Sequence, residues 1–227
     1  MTQLVTTGCS FTGGVIPLPH LPKSEWNVRG SVWPHFVYSD NSNFDSLTNL
    51  GIPGGGNVAS MYNLIYFLEQ NNNKDTIVIF NITGLSRNDT ICDSINPDAN
   101  KDLCCVDATG LKHFSDTFGF GWITRGNGMF QKQNVFSELS IIQAISYLEL
   151  NNYDYYFMFM NNSVLEKSNE IFKKFIKCRK DRLITFNSNS MYEFCVSIGE
   201  TTDDGHPTAQ GHKQMAKHIM EFLNAKA

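Results

Sequence analysis

The sequence has no long apolar run and no block of like charge. No stretch of its 227 residues is apolar enough to span a bilayer, which takes about 20 consecutive apolar residues. The formal net charge is −4, and no five charges of one sign stand together. Proteins that bind nucleic acid usually carry a basic patch or stripe. We therefore expect neither a membrane nor a nucleic acid as a partner.

Cysteine patterns typical of metal sites are also missing. The six cysteines form no Cys-x-x-Cys pair and no Cys/His spacing typical of zinc. We expect free thiols in a reducing setting, with no metal and no cofactor. A secretory leader opens with a basic segment followed by an apolar one, whereas the first basic residue here is Lys23. These features predict a cytoplasmic protein.

The bulk composition is that of one folded domain. A length of 227 residues suits a single domain, because α/β domains of roughly 200–250 residues are common. Apolar residues make up 41% of the chain, which is enough to build a core. We predict one domain over residues 1–227, with irregular insertions at about 11–48 and 84–133, where periodicity is absent.

Elsewhere, hydrophobic periodicity predicts alternating strands and helices. Short apolar, β-branched runs are typical of strands, and apolar residues at three- and four-residue steps are typical of helices. The predicted strands are 2–7, 46–50, 75–83, 153–160 and 183–186. The predicted helices are 57–70, 134–150, 163–177 and a last one from its N-cap Thr208 to about 224. This alternation predicts a three-layer α/β/α fold, whose parallel sheet is covered by helices on both faces.

Two motifs at opposite ends of the chain carry candidate catalytic groups. Ser10 follows the first predicted strand, and the run Asp203-Asp204-Gly-His206 lies near the C-terminus. A serine hydroxyl is a poor nucleophile unless a base such as imidazole removes its proton. A carboxylate then orients the imidazole and stabilises its cation. We predict Ser10 as nucleophile, His206 as base and Asp203 as the orienting carboxylate. Asp204, two positions from the histidine, is the weaker candidate.

The negative charge that develops on an attacked carbonyl needs preorganised donors. Ser10, the turn 51–57 and the turn 83–89 all follow predicted strands. Because ligands bind beyond the carboxyl ends of parallel strands, these segments are expected to converge. The backbone N–H groups of Ser10 and Gly54 are predicted donors, and a side chain from the 83–89 turn is a third.

The blocks GCSFTGG, NLGIPGGGN and DDGHPTAQGH resemble the SGNH (GDSL-type) hydrolases, in particular members from phages and bacteria. The resemblance implies a flavodoxin-like sheet and hydrolysis of ester or acyl bonds without a metal. It also implies the same roles for Ser10, Asp203 and His206, and an oxyanion-donor role for Gly54.

Two positions depart from the family pattern. Cys9 stands where the family usually has the aspartate of its Gly-Asp-Ser block, but that aspartate is not part of the triad. The family's Gly-x-Asn-Asp block, whose asparagine is an oxyanion donor, corresponds here to residues 84–89, which is two residues longer. Asn88 is our candidate for the third donor. The alternatives are Thr83, Ser86 and Arg87.

The sequence therefore predicts a serine esterase that acts on a small-molecule or glycan ester, for example a carbohydrate O-acetyl ester. One alternative is a catalytically weak or inactive binding or structural protein, for example one associated with a virion. Another is an O-acyltransferase, which forms the same acyl-enzyme and differs in the acceptor. The α/β-hydrolase elbow Gly-x-Ser-x-Gly is excluded because residue 12 is Thr12.

Two further features have ordinary structural interpretations. His212 and His218 fall on the last predicted helix, where we expect them to lie at the surface or its edge. Cys9, beside the candidate nucleophile, is expected to be a small buried thiol, with a competing nucleophile as the alternative.

Overall fold

The computed structural model describes residues 2–14, 31–52, 55–85, 88–91, 103–106, 127–203 and 205–226, with only the backbone described at 88–91, 103–106 and 127–133. The strands are β1 (Gln3–Thr7), β2 (Ser46–Asn49), β3 (Thr76–Ile82), β4 (Asn88–Ile91), β5 (Leu103–Val106) and β6 (Asp154–Phe159). The helices are α1 (Ser10–Gly13), α2 (Trp33–Asp40), α3 (Asn57–Asn71), α4 (Asn127–Leu150), α5 (Ser163–Lys167), α6 (Glu170–Lys177), α7 (Met191–Ser197) and α8 (Ala209–Asn224).

Four of these strands form a parallel sheet in the order β2-β1-β3-β6. Gln3 of β1 lies opposite Ser46 on one side and Thr76 on the other, and Ile77 of β3 lies opposite Asp154 of β6. Parallel neighbours need crossover connections, which helices supply. The order is that of a flavodoxin-like sheet, so the predicted α/β/α fold is confirmed.

The core lies on both faces of the sheet. Because successive residues of a strand point to opposite faces, β3 directs Val78 and Phe80 to one face and Ile79 to the other. Helices α3, α4 and α6 cover the first face, and α2, α7 and α8 cover the second. Burial on both faces explains why the strands appear in the sequence as nearly continuous apolar runs.

Helix α8 begins where it was predicted to begin. The side chain of Thr208 accepts a hydrogen bond of 3.0 Å from the backbone N–H of Gly211, which confirms Thr208 as the N-cap. This start fixes the position of the chain directly before it, where His206 lies.

Helix α2 was not predicted. It lies in the segment 11–48, which the sequence analysis takes to be irregular, and it buries Trp33 and Val37. Pro34 stands in its first turn, where a missing N–H costs nothing. Eight residues give only two turns of periodicity, too few to detect among the surrounding prolines. Residues 15–30 lie outside the described residues.

The second predicted insertion, 84–133, also contains regular structure. Strands β4 and β5 form an antiparallel pair, with Asn88 opposite Val106. Helix α4 begins at Asn127 rather than at 134. The rest of this segment, residues 86–87, 92–102 and 107–126, lies outside the described residues.

Two predictions in the C-terminal half were wrong. The predicted helix 163–177 is two helices, because Asn169 caps a new one by accepting the N–H of Phe172 at 3.0 Å. The predicted strand 183–186 reduces to one parallel bridge between Leu183 and Phe157. The short helix α7 follows and was not predicted.

Cys9, Cys178 and Cys195 are free thiols. No helix within the described ranges has both the length and the apolar character needed to cross a membrane.

Candidate active site

Ser10 follows β1 after a sharp turn at Gly8, whose φ is +144°. A Cβ at this glycine would lie 2.8 Å from Thr12 Oγ1 and 2.9 Å from Asn81 Cβ, so a side chain does not fit. The carbonyl of Cys9 then accepts the N–H of Thr12, at 2.9 Å, and that of the next residue, at 2.8 Å. These bonds close helix α1 and place Ser10 beyond the carboxyl end of β1.

The structure brings Ser10 and His206 together. Ser10 Oγ lies 2.9 Å from His206 Nε2, although the two residues are 196 positions apart in the chain. This distance is within the range needed for proton transfer between a nucleophile and a base. The ring of Phe11 packs beside the imidazole, with ring centroids 5.6 Å apart. A neutral His206 accepts the Ser10 proton at Nε2 only in the tautomer that is protonated at Nδ1.

His206 lies in a tight turn between α7 and α8. Thr201 and Pro207 form an antiparallel bridge, and the N–H of Thr208 donates to the carbonyl of Glu200 at 3.0 Å. These contacts bring residues 200–201 and 207–208 together at the base of the turn. His206 lies within the turn, with its imidazole next to Ser10.

The Gly-rich turn after β2 packs against α1. Asn49 Nδ2 donates to the carbonyl of Thr12 at 2.8 Å, and Asn49 Oδ1 accepts the N–H of Gly51 at 3.0 Å. The N–H of Ile52 donates to the carbonyl of Gly8 at 2.8 Å. Gly54 lies outside the described residues, so its oxyanion role stays a prediction.

We expect Gly51→Ala to be strongly damaging. An added Cβ would lie 2.4 Å from the backbone nitrogen of Gly13, so α1 and the Gly-rich turn would have to move apart. Overpacking of this kind costs about 1–3 kcal/mol, and Ser10 would shift with α1. Urea unfolding measures the loss of stability. Gly84→Ala is the matched control, because its Cβ would meet only Met160 Cε, at 4.0 Å. Equal stability of the two variants would contradict this packing argument.

The chain after β3 is fixed by Asn57, at the start of α3. Asn57 Oδ1 accepts the N–H of Thr83 at 3.0 Å, and Asn57 Nδ2 donates to the carbonyl of Thr83 at 3.1 Å. Both residues are fully buried. The hydroxyl of Thr83 donates to Met160 Sδ at 3.5 Å, so in this arrangement it points to the interior. Sequence reasoning missed Asn57, although its place after a Gly-rich turn was visible.

The structure describes only some of the other predicted site residues. Asp203 lies in the turn before His206 with an exposed side chain, whereas Asp204 lies outside the described residues. Asn88 begins β4, and its side chain is not described. Ser86 and Arg87 also lie outside the described residues. The roles of Asp203 and Asn88 therefore remain predictions.

Cys9 is a buried thiol. Its Sγ donates to Asn81 Oδ1 at 3.5 Å and contacts Met160 Sδ at 3.6 Å. The amide nitrogen of Asn81 in turn contacts Met191 Sδ at 2.7 Å. These contacts point the thiol into the interior, as the structural interpretation of Cys9 predicts.

The expectation that His212 lies at the surface was wrong, because the residue is fully buried. Its Nδ1 accepts the backbone N–H of Trp33 at 3.4 Å, at an α2 N-terminus that has no side-chain cap of its own. Burial lowers the pKa of His212 to about 3, and the charge of nearby His206 acts in the same direction. The spacing of apolar residues in the sequence indicated this burial. His212 is three residues before Met215 and four before Ala216, so it shares their buried face of the helix.

His212 predicts a loss of stability in acid. Its pKa is about 6.5 when unfolded and about 3 when folded, so below pH 6.5 the unfolded state binds the extra proton. Stability from this group is complete above that pH and falls as the pH drops toward 3, by about 1.4 kcal/mol per pH unit. His212→Asn keeps an acceptor near the position of Nδ1. We expect this variant to show a smaller change of unfolding free energy, measured with urea, between pH 6 and pH 4. The control His218→Asn is expected to keep the wild-type slope, and an unchanged slope in His212→Asn would contradict the prediction.

A cavity of about 490 Å³ lies at the opposite, amino-terminal edge of the sheet, where β6 begins. Four of its charged side chains form two ion pairs, since Arg179 Nη2 lies 2.8 Å from Glu149 Oε2, and Arg182 bonds Asp154. In the described part of the chain, no three His, Cys, Asp or Glu side chains could together hold a metal ion.

No protein-family model and no curated protein sequence matches this chain. Solved structures do match. One is a member of the lipolytic G-D-S-L family from Veillonella parvula DSM 2008, with 14% identity, coverage of 99% of both chains and a TM-score of 0.54. A second is a psychrotrophic esterase from Pseudoalteromonas sp., with 13% identity, coverage of 100% of this chain and 98% of the other, and a TM-score of 0.52. A third is a mutant of an acetylxylan esterase from Geobacillus stearothermophilus, with 11% identity, coverage of 98% and 94%, and a TM-score of 0.52.

These similarities extend over nearly the whole length of each chain. They confirm the fold that the resemblance to SGNH hydrolases predicts. At such low identity they establish the fold alone.

Proposed function

We propose that the protein is a serine esterase or acyl hydrolase that acts on a small acyl ester. The observation that carries the proposal is the 2.9 Å contact between Ser10 Oγ and His206 Nε2. Nucleophilic acyl transfer needs a serine hydroxyl that is hydrogen-bonded to an imidazole. Here this pair lies beyond the carboxyl ends of the parallel strands, where such sheets bind their ligands.

In the proposed reaction, Ser10 Oγ attacks the ester carbonyl while His206 Nε2 takes its proton. The tetrahedral intermediate collapses when His206 gives that proton to the leaving alcohol, which leaves an acyl group on Ser10. Water then attacks the acyl-enzyme while His206 takes its proton, and the second tetrahedral intermediate collapses when His206 gives that proton to Ser10 Oγ, which releases the acid and restores the free enzyme. The proposed oxyanion donors are the backbone N–H groups of Ser10 and Gly54 and the side chain of Asn88.

We assign Asp203 as the carboxylate that orients His206 and stabilises its cation. The three-residue spacing between them supports this role. Catalytic mutants of the structurally similar acetylxylan esterase replace an aspartate and a histidine that are three positions apart in its chain. Asp204 is the alternative, and comparing Asp203→Asn with Asp204→Asn separates the two.

For the substrate we propose a carbohydrate O-acetyl ester. Ser10 is only 6% exposed, which favours a small acyl group over a long one. Among the structures that share the fold, one is an acetylxylan esterase.

The test is hydrolysis of p-nitrophenyl acetate, butyrate and octanoate and of an O-acetylated xylan, with and without a fluorophosphonate. We expect the acetyl esters to react fastest and one equivalent of the inhibitor to stop all hydrolysis. Product that depends on an added sugar acceptor would instead indicate an acyltransferase. Absence of any acyl-ester turnover would leave a binding or structural protein.

A further inference from the structure

One side chain, that of Thr202, bonds both polar backbone groups of His206. Thr202 Oγ1 donates to the carbonyl of His206 at 2.9 Å and accepts the N–H of His206 at 3.1 Å. The backbone N–H of Thr202 donates to the same carbonyl at 2.8 Å, and its own carbonyl accepts the N–H of Gly205 at 2.9 Å. The histidine backbone is therefore held from one residue four positions earlier.

We propose that Thr202 is a positioning residue for the base, because its hydroxyl fixes the His206 backbone where Nε2 meets Ser10 Oγ. This inference rests on the proposed function. With the backbone fixed, the imidazole has only its two side-chain torsions left, and Phe11 and Ser10 already contact the ring.

The neighbouring residues limit the His206 backbone in the same way. Gly205 has φ of +82°, a conformation that favours glycine. Pro207 restricts the residue before it to extended conformations. The β-branched Thr202 itself has few side-chain rotamers, so its hydroxyl is held ready between the two backbone groups.

The base of the turn is anchored without Thr202. Thr208 bonds Glu200 through both its backbone and its side chain. Gly211 packs so closely on Glu200 that a Cβ there would lie 2.8 Å from the carbonyl oxygen of Glu200. Loss of the Thr202 hydroxyl is therefore expected to disturb the tip of the turn and not the fold.

The experiment compares Thr202→Val, which keeps the shape but removes the hydroxyl, with Thr202→Ser, which keeps the hydroxyl. Thr201→Val is the matched control, on a half-buried neighbour. With p-nitrophenyl acetate we expect Thr202→Val to lower kcat about ten- to hundredfold with KM near wild type, since a displacement of about 1 Å can cost about that much. Thr202→Ser is expected to stay within about threefold of wild type, by the same argument. A Thr202→Val enzyme that behaves like Thr201→Val would overturn the inference.

Hydrogen exchange of the His206 backbone amide separates this inference from the proposed function. We expect protection in wild type and Thr202→Ser, and its loss in Thr202→Val. An active wild type whose amide is equally protected in all variants would overturn the inference alone. A wild type without Ser10-dependent hydrolysis would defeat the proposed function, and the exchange comparison would still decide whether Thr202 holds His206.

Discussion

Ser10→Ala is expected to lower kcat for ester hydrolysis by about 10⁴- to 10⁶-fold, as loss of the nucleophile does in serine hydrolases. The hydroxyl that accepts the acyl group is removed, so the acyl-enzyme cannot form. The fold is expected to persist, because the missing atom leaves the bonds to the Cys9 carbonyl unchanged. The measurement is kcat with p-nitrophenyl acetate under saturating substrate.

The matched control for this change is Ser39→Ala, because Ser39 is exposed on α2 and its loss is expected to leave kcat unchanged. Cys9→Ala distinguishes the neighbouring thiol. We expect it to retain hydrolysis, since the thiol of Cys9 points to Asn81 and Met160. Full activity in Ser10→Ala combined with a loss in Cys9→Ala would show that the wrong nucleophile has been assigned.

His206→Gln is expected to lower kcat by at least about 10³-fold, because an amide fills similar space but cannot remove the Ser10 proton. His206→Gln and Ser10→Ala impair the same step, the attack of Ser10 Oγ on the ester carbonyl. The double variant is therefore expected to be no worse than either single variant, as for residues that act as a unit. Steady-state kinetics of the two single variants and the double variant measure this.

His218→Gln serves as the control, because His218 lies on α8 away from the turn and contacts the rings of Phe186 and Phe194. We expect it to keep wild-type kcat. Additive losses in the double variant, or a His206→Gln enzyme as active as His218→Gln, would contradict the assigned pair.

The central part of the fold follows from local sequence signals. Strands β3 and β6 are buried on both faces, so each is an apolar run that stands out without any tertiary information. Helix α8 has both a cap at Thr208 and an apolar stripe. By contrast, α2 is short, and its burial depends on contact with α8, which lies far away in the chain. Leu183 and Phe186 have the composition of a strand, but Leu183 makes a single bridge to β6, and Phe186 pairs instead with nearby Asn189.

The candidate site also has some residues that the sequence indicates and others that it does not. The proximity of Ser10 and His206 could be predicted, because few residue types can serve as a nucleophile and its base. The side chains that bond to nearby backbone could not, because their roles depend on hydrogen bonds to residues far away or several positions apart in the chain. Asn57 acts through the backbone of Thr83, Thr202 through that of His206, and His212 through that of Trp33. Asparagine, threonine and histidine have many ordinary uses, so their types alone did not indicate these contacts.

Activation of Ser10 by His206 is tested by mapping the residue that a fluorophosphonate modifies and by measuring how fast the modification forms. Peptide mass spectrometry of the wild-type protein is expected to place the phosphonyl group on Ser10. In His206→Gln the same modification is expected to form at least about 100-fold more slowly, because the general base is gone. A label on Cys9 or elsewhere would show that Ser10 is not the nucleophile, and equally fast labelling of Ser10 in His206→Gln would show that His206 does not activate it.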